Sequence, residues 1–249
     1  ISKHLGSGRR FMIYGFQINQ GRELVKKIPS ALKPTHSELD ITDYQAVLNY
    51  FDNHSEIDTV IHTAAMTGIR ECEINKISAM NINVIGTRNI VDVIQKTKKN
   101  IFLNYISTAC VFDGHNEMYN EESIPYPENF YALTKLLGEY EVKKLGEKLI
   151  IRTNFVGKTQ WPYPKAFEDR FGTYLFADDV AEGIIDVHKK ELQGIVHIVG
   201  NKKMSMLDLA RITTPKIESM TIEDYSGPQL TKDMSLDTIV WKKYNISHV

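Results

Sequence analysis

Cysteine is scarce in this chain of 249 residues, with Cys72 and Cys110 the two present. Two thiols without C-x-x-C spacing exclude a disulfide framework and a thiol-ligated metal or redox motif, and they fit a reducing, cytoplasmic setting. Charge of one sign is also lacking. Thirty Lys and Arg face thirty-one Asp and Glu, a formal net charge of −1, so there is no basic excess to neutralise a phosphate backbone. Nucleic acid is therefore not expected as a partner. No stretch approaches the about 18 apolar residues that a membrane span requires, and no membrane partner is expected. The eight histidines show neither H-x-x-x-H nor paired-carboxylate spacing, so no protein-ligated metal is expected. The first ten residues lack a signal peptide's apolar run, and Gly6-Ser7-Gly8 reads as a flexible leader.

What is present is ordinary globular composition, 42% apolar and 24% charged, on a chain long enough for one large α/β domain with a substantial core. Phe11-Met12-Ile13-Tyr14 reads as a strand that ends at Gly15 and leads past Gly21 into a helix at Arg22–Lys27. Alternation continues with a brief Ala31-Leu32 segment, a helix at Tyr44–Phe51, a strand at Thr59–His62 and one long helical pattern from Ile77 to Lys98. A strand at Ile101–Ile106, a helix at Tyr131–Leu145 and a strand at Leu149–Arg152 follow. Strands alternating with helices imply right-handed βαβ crossovers, and hence a Rossmann-like, doubly wound parallel sheet. After Arg152 the rhythm breaks at Trp161-Pro162-Tyr163-Pro164, resumes with a helix at Asp178–Lys190 and a strand at Ile195–Val199, and ends in a polar tail. The expected division is a cofactor-binding domain over 1–155 and a small substrate lobe over 156–249, with part of 172–200 returning to the first.

In such a sheet, ligands lie beyond the carboxyl ends of the strands, and a dinucleotide's pyrophosphate rests on the first glycine turn. Gly15 and Gly21 stand where that turn belongs, although Ile18 occupies the middle position of a G-x-x-G-x-x-G pattern and crowds a phosphate's approach. An ordinary strand-to-helix turn fits the two glycines as well. A more specific constellation is Tyr131-Ala132-Leu133-Thr134-Lys135, preceded by Ser107-Thr108 at a strand end. Spacing of four puts phenol and ammonium on one helix face. A free tyrosine with a pKa of about 10 is a poor acid or base at neutral pH, and a neighbouring cation lowers that value. Thr108 is placed to hydrogen-bond the oxygen that Tyr131 protonates. The plainer reading, a surface tyrosine beside a solvated lysine, leaves Ser107-Thr108 unexplained.

Further segments fall in the same order: Gly21-Arg22-Glu23-Leu24, Leu39-Asp40-Ile41-Thr42-Asp43, Val60 through Thr67, Asn83-Val84-Ile85-Gly86-Thr87-Arg88-Asn89, Val111-Phe112-Asp113-Gly114, Gly138-Glu139, Arg152-Thr153 and Ser235-Leu236-Asp237. With them the chain resembles the extended short-chain dehydrogenase/reductase superfamily, and within it the dTDP-4-dehydrorhamnose reductase branch. The resemblance implies an NAD(P)H-dependent reductase of a 4-keto-6-deoxy nucleotide sugar, and it makes a homodimer the expected assembly. It also implies that Asp40 and Ile41 border the adenine, that Ala64 and Ala65 line the cofactor, and that Asn83 braces the central helix. Thr108, Tyr131 and Lys135 become the catalytic trio, with Lys135 also on the nicotinamide ribose. Plainer roles are a helix cap for Asp40 and packing for the two alanines. The end of the second strand offers Thr35 and His36 in place of a carboxylate, which favours NADP(H) over NAD(H).

The chain departs from the family at three places. Ala109 follows Thr108 where many relatives have aspartate, the Val156–Gly172 segment is short, and Leu230-Thr231-Lys232-Asp233-Met234 lacks the usual arginine, the natural pyrophosphate fork. Other readings are a non-catalytic regulatory or nucleotide-binding protein of the same fold, as in the regulatory subunit of methionine adenosyltransferase, or a nucleotide-sugar epimerase. Trp161, Tyr163 and Phe167 suit an aromatic wall or lobe packing, Asp178-Asp179 read as capping charge, and His62 as a strand residue.

Overall fold

The computed structural model describes residues 9–15, 19–97 and 99–247. Ile18 and Gly6-Ser7-Gly8 lie outside the described residues. Five parallel strands form the central sheet: β1 (Phe11–Tyr14), β2 (Thr59–His62), β3 (Phe102–Ile106), β4 (Lys148–Thr153) and β5 (Gly194–Ile198), side by side in that order. Every residue of β1, β2 and β3 is buried, as expected for a parallel sheet covered on both faces. Alternate side chains serve opposite cores. Met12, Val60 and Leu103 face one cluster, and Ile13, Ile61 and Ile151 the other.

Leu32 fixes the topology. It bridges Met12 in parallel on the outer edge of β1, with Ile13 N donating to Leu32 O at 2.9 Å and Leu32 N to Phe11 O at 2.8 Å. The chain therefore steps outward from β1 to Leu32 and then back across β1 to β2. A reversal of this kind opens a crevice at the carboxyl ends of β1 and β2, where open α/β sheets bind ligands.

Helices α1 (Asn19–Lys27) and α7 (Ala177–Lys189) cover one face, α2 (Tyr44–Asn53), α5 (Gly86–Thr97) and α6 (Phe130–Val142) the other. Asp43 caps α2 by accepting from Gln45 N at 2.8 Å and Ala46 N at 3.3 Å. Asp40 is not that cap; its carboxylate closes the turn to Thr42 instead. The long helix expected over Ile77–Lys98 is interrupted. After α3 (Ile69–Ile74) and α4 (Lys76–Met80), the backbone widens into a π-helical turn at Asn81–Ile85 before α5 begins. Such turns cluster at functional sites.

Beyond Thr153 the chain makes two short parallel pairs, Phe155–Val156 with Leu175–Phe176 and Lys165–Phe167 with Glu218–Met220. It also lays Phe171–Gly172 between Met204–Ser205 and Asp233–Met234, with helix α8 (Met206–Thr213) alongside. The expected polar tail is in part interior, since Thr231, Asp233, Met234, Ser235 and Leu236 are all buried. Within it Asp233 Oδ1 accepts from Ser235 N and Oγ. Among the described residues no helix is long and apolar enough to cross a membrane.

Beneath the sheet's carboxyl edge, Arg152 of β4 meets Glu139 of α6 through Nε–Oε1 at 2.9 Å and Nη2–Oε2 at 2.7 Å, with side-chain exposures of 1% and 0%. Ser107 Oγ donates to the same carboxylate at 2.6 Å. Removing one member of a buried pair strands the other charge. Glu139→Ala is therefore expected to cost about 3–5 kcal/mol of unfolding free energy, measured by urea denaturation. A loss below about 1 kcal/mol, the range of exposed pairs, would show that the pair is not a structural anchor.

Candidate active site

The crevice begins at Gly15, whose φ of +93° is open to glycine and strained for other residues. A Cβ there would stand 2.3 Å from Ala64 N. This close approach joins the ends of β1 and β2, since the Tyr14 carbonyl accepts from Thr63 N at 2.9 Å and Ala64 N at 3.1 Å. A cavity of about 430 Å³ opens above them, lined among others by Gly15, Asp40, Ile41, Ala64 and Ala65. Five of the residues expected at the cofactor thus meet in one place. Gly21 does not line it and is buried within α1.

The lining combines apolar and hydrogen-bonding groups. Tyr14, Ile41 and Ile82 supply apolar walls, and Asp40, Thr42, Ser78 and Asn81 supply hydrogen-bonding groups. Burial works against the charge on Asp40, yet bonds from the Thr42 hydroxyl (2.8 Å) and amide (2.9 Å) hold its carboxyl below the usual range. At the end of the Leu32 edge, Thr35 is occupied, its N and Oγ1 both donating to Glu38 Oε2 at 2.8 Å. His36 lines the cavity.

Thr108 follows the end of β3 and caps a short 3-10 turn, Ala109–Val111, accepting from Cys110 N at 3.2 Å. Its hydroxyl lies near enough to the Tyr131 phenol, in the first turn of α6, to act on that phenol's pKa. Helix α6 starts there because Asn129 accepts from Ala132 N at 3.0 Å and Glu73 Oε1 from Phe130 N at 2.8 Å. Burial drives the Tyr131 phenol well above its usual pKa, the Cys110 thiol adds to this, and the nearby Thr108 hydroxyl opposes it.

The expectation that Lys135 lowers the pKa of Tyr131 is not met. Lys135 is 3% exposed, donates from Nζ to Ile106 O at 2.8 Å and lies 4.1 Å from the centre of the Tyr105 ring. Burial pulls its ammonium down to about 7, against the field of Glu139. Tyr131 is consequently a neutral phenol, the protonation state of an acid.

Asn83 occupies the π turn. Its Oδ1 accepts from Met66 N at 2.8 Å, and its Nδ2 donates to Met66 O at 3.0 Å and Thr134 Oγ1 at 2.9 Å. It thus ties the loop after β2 to α6 between Tyr131 and Lys135. A Cβ on Gly138 would stand 2.2 Å from the Tyr105 hydroxyl and 3.0 Å from Asn83 O, so α6 seats against both only with glycine there. Ser78, Asn81 and Ile82 line the cavity without having been singled out in the sequence. The signal available was Asn81, Asn83 and Gly86 inside one helical pattern, residue types that disfavour a helix interior.

His62 is a buried strand residue whose Nε2 lies 3.1 Å from Thr87 Oγ1, and burial lowers its pKa to about 3. The aromatic wall does not form as one surface. Trp161 meets Tyr163 edge to face, whereas Phe167 packs on Tyr225. Asp179 does cap α7, accepting from Phe176 N at 3.1 Å. Among the described residues no group of three or more His, Cys, Asp or Glu gathers as a metal site.

A doubly wound sheet with a cavity at its reversal point, and a Thr, Tyr and Lys set on the same edge, defines an extended short-chain dehydrogenase/reductase. Residues 9–229 match the family described as RmlD substrate binding domain, and the chain belongs to that family. It is 27% identical to the dTDP-4-dehydrorhamnose reductase of Aggregatibacter actinomycetemcomitans, over 90% of this chain and 87% of that protein. It is 28% identical to methionine adenosyltransferase 2 subunit beta of Xenopus tropicalis, over 81% and 70%. The crystal structure of a dTDP-4-dehydrorhamnose reductase from Clostridium acetobutylicum superposes with a TM-score of 0.83 at 27% identity, covering 92% of this chain and 90% of that one.

The depressed Lys135 pKa has a consequence for stability. Between about 7 in the folded chain and the ordinary 10.5, the unfolded chain holds a proton that the folded chain does not. Stability therefore rises with pH across that window and is lowest below it. Urea denaturation from pH 7 to pH 9, below the range where buried phenols oppose the trend, is expected to show this rise in the wild type and a flatter profile in Lys135→Met. Equal slopes in the two proteins would contradict it.

Proposed function

We propose that this protein is an NAD(P)H-dependent reductase acting on the keto group of a 4-keto-6-deoxy nucleotide sugar. The observation that carries the reading is the placement of Thr108, after the end of β3, near the Tyr131 phenol in the first turn of α6, on the same edge of the sheet as the crevice. A reduced nicotinamide, when bound, supplies hydride to the carbonyl carbon. Gly15, Asp40, Ile41, Ala64 and Ala65 hold the adenosine half of the cofactor, and Gly21 lies in the first turn of the helix below its pyrophosphate. Tyr131, kept neutral by burial, gives its proton to the carbonyl oxygen while Thr108 donates a hydrogen bond to that oxygen and holds the phenol in place. Lys135, anchored on Ile106 O, holds the nicotinamide ribose. Asn83 positions α6 without touching the reacting atoms.

NADP(H) is favoured over NAD(H). The end of the Leu32 edge presents His36 to the cavity in place of the carboxylate that would bond the ribose hydroxyls, and the Asp40 carboxylate is engaged with Thr42. A regulatory protein without turnover is the second reading, favoured by the likeness to methionine adenosyltransferase 2 subunit beta. The Thr108, Tyr131 and Lys135 set favours the enzyme.

Cofactor oxidation against a panel of 4-keto nucleotide sugars separates the two. In Tyr131→Phe, turnover is expected to fall by about 10²–10⁴, with NADPH affinity by fluorescence titration unchanged within about twofold. Undiminished turnover in that variant would overturn the assignment of the acid. Saturable NADPH binding with no turnover on any 4-keto sugar would favour the regulatory reading.

A further inference from the structure

The Lys135 ammonium has few groups to offset its charge. Its Nζ donates to Ile106 O at 2.8 Å, and among the described residues it forms no ion pair. Glu139, one turn further along α6, is the natural partner, yet both of its oxygens are engaged. Oε1 accepts from Ser107 Oγ and Arg152 Nε, and Oε2 from Arg152 Nη2. An ammonium carries three donors, and a single carbonyl satisfies one of them. A cation this deep is costly unless something beside it supplies negative potential.

Tyr105 supplies that potential. Lys135 Nζ stands 4.1 Å from the centre of its ring, inside the reach of about 6 Å over which a ring face attracts a cation, most strongly where water is excluded. Tyr105 is itself fully buried on β3. Its hydroxyl donates to Lys135 O at 3.4 Å, and a Cβ on Gly138 would stand 2.2 Å from that hydroxyl, so the ring is wedged under α6. Burial first, and the field of Glu139 second, hold its phenol well above the usual pKa. Tyr105 therefore meets Lys135 as a neutral ring and not as a phenolate. The other titratable groups of the packed elements carry no anion to Lys135 either. His62 on β2, 5.5 Å from Tyr105 between ring centres, is kept neutral by burial and then by the Lys135 charge, and Tyr131, one turn earlier on α6, is a neutral phenol.

We propose that Tyr105 is a positioning residue of the reaction centre: its ring face stands in for a carboxylate beside the Lys135 ammonium, keeping that side chain charged and in place. A carboxylate at the same spot would accept from the ammonium and commit its N–H groups. A ring face stabilises the charge and leaves those groups for ribose hydroxyls. The inference rests on the reductase reading for what Lys135 holds, and it names the residue that keeps Lys135 fit to hold it.

The test is a pH titration of Lys135 itself, read from the 13Cε shift in lysine-labelled protein, with Lys135→Met assigning the signal. Wild type, Tyr105→Phe and Tyr105→Leu are compared, each with NADPH titration by fluorescence. Tyr105→Phe keeps the ring and should leave the Lys135 pKa within about 0.3 of the wild type, whereas Tyr105→Leu removes the ring face and should lower it by about one unit. With Lys135 titrating near 7 in the wild type, NADPH affinity in Tyr105→Leu should fall about fivefold at pH 7 and about tenfold at pH 9. It should change little at pH 5.5, where the ammonium is charged in both proteins. Lys135 titrating alike in wild type and Tyr105→Leu, or shifted as far in Tyr105→Phe, overturns the inference and leaves the reductase reading standing. An NADPH loss of equal size at every pH marks Tyr105 as packing alone and also overturns it. If Tyr105→Leu does not fold, pentafluorophenylalanine in place of Tyr105 keeps the ring's outline, reverses the potential of its face and carries the same expectation. Failure of the wild type to bind NADPH overturns the reductase reading, and the role given to Tyr105 with it.

Discussion

The candidate active site hangs on a carboxylate buried under α6. Glu139 holds Arg152 of β4 through two bonds and Ser107 at the end of β3 through a third. Those three bonds lock two strand ends to one helix, and the neighbours of the locked residues are the candidate catalytic groups. Thr108 follows Ser107 directly, and Lys135 stands one turn before Glu139 on the same face. A pair this deeply buried gives little net stability over an apolar substitute, because desolvation offsets most of its attraction. Its contribution is geometric: two points on the sheet and one on the helix cannot shift independently.

The same helix is braced from the other side. Asn83 reaches Met66 beyond β2 and Thr134 on α6, so the cavity wall and the candidate acid share one anchor. That bridge depends on the π turn, which swings Asn83 out of the regular helical register, and on Gly138, where any side chain would strike Tyr105 and the Asn83 carbonyl. Cofactor cavity and candidate reaction centre thus form one packed unit. A change at Gly138 is felt at both.

Much of this was legible in the sequence because it depends on local period and spacing. Apolar runs at Phe11–Tyr14 and Thr59–His62, and a Tyr and Lys four apart after a strand-end Ser-Thr, announce a parallel sheet with a polar group at its edge. What was not legible depends on distant partners. Nothing near Asp40 tells that Asp43 takes the cap while Asp40 turns back on Thr42. The direction of Lys135 is set by the Ile106 carbonyl and the Tyr105 ring, about thirty residues away in sequence, so spacing along α6 alone misled on its effect on Tyr131. The polar C-terminal stretch hid a buried segment because the Asp233 carboxylate is satisfied by Ser235 and Lys203, which composition does not register.

Burial acts on Tyr131 and Lys135 in opposite directions, and the outcome has a direction of its own. Desolvation penalises whichever form is charged, so it keeps the phenol protonated and makes the ammonium readier to release its proton. On the proposed reading, a neutral Tyr131 is the form that reducing a ketone requires, since it must give a proton as the carbonyl oxygen gains charge. The reverse reaction needs phenolate, which this surrounding resists until a positive charge is brought close. Lys135 is the nearest candidate on the same helix, and a pKa of about 7 leaves it divided between charged and neutral forms at neutral pH. Glu139, already shared between Arg152 and Ser107, is the group that keeps it from falling further. The carboxylate that fixes the geometry of the strand ends therefore also sets how much charge Lys135 carries.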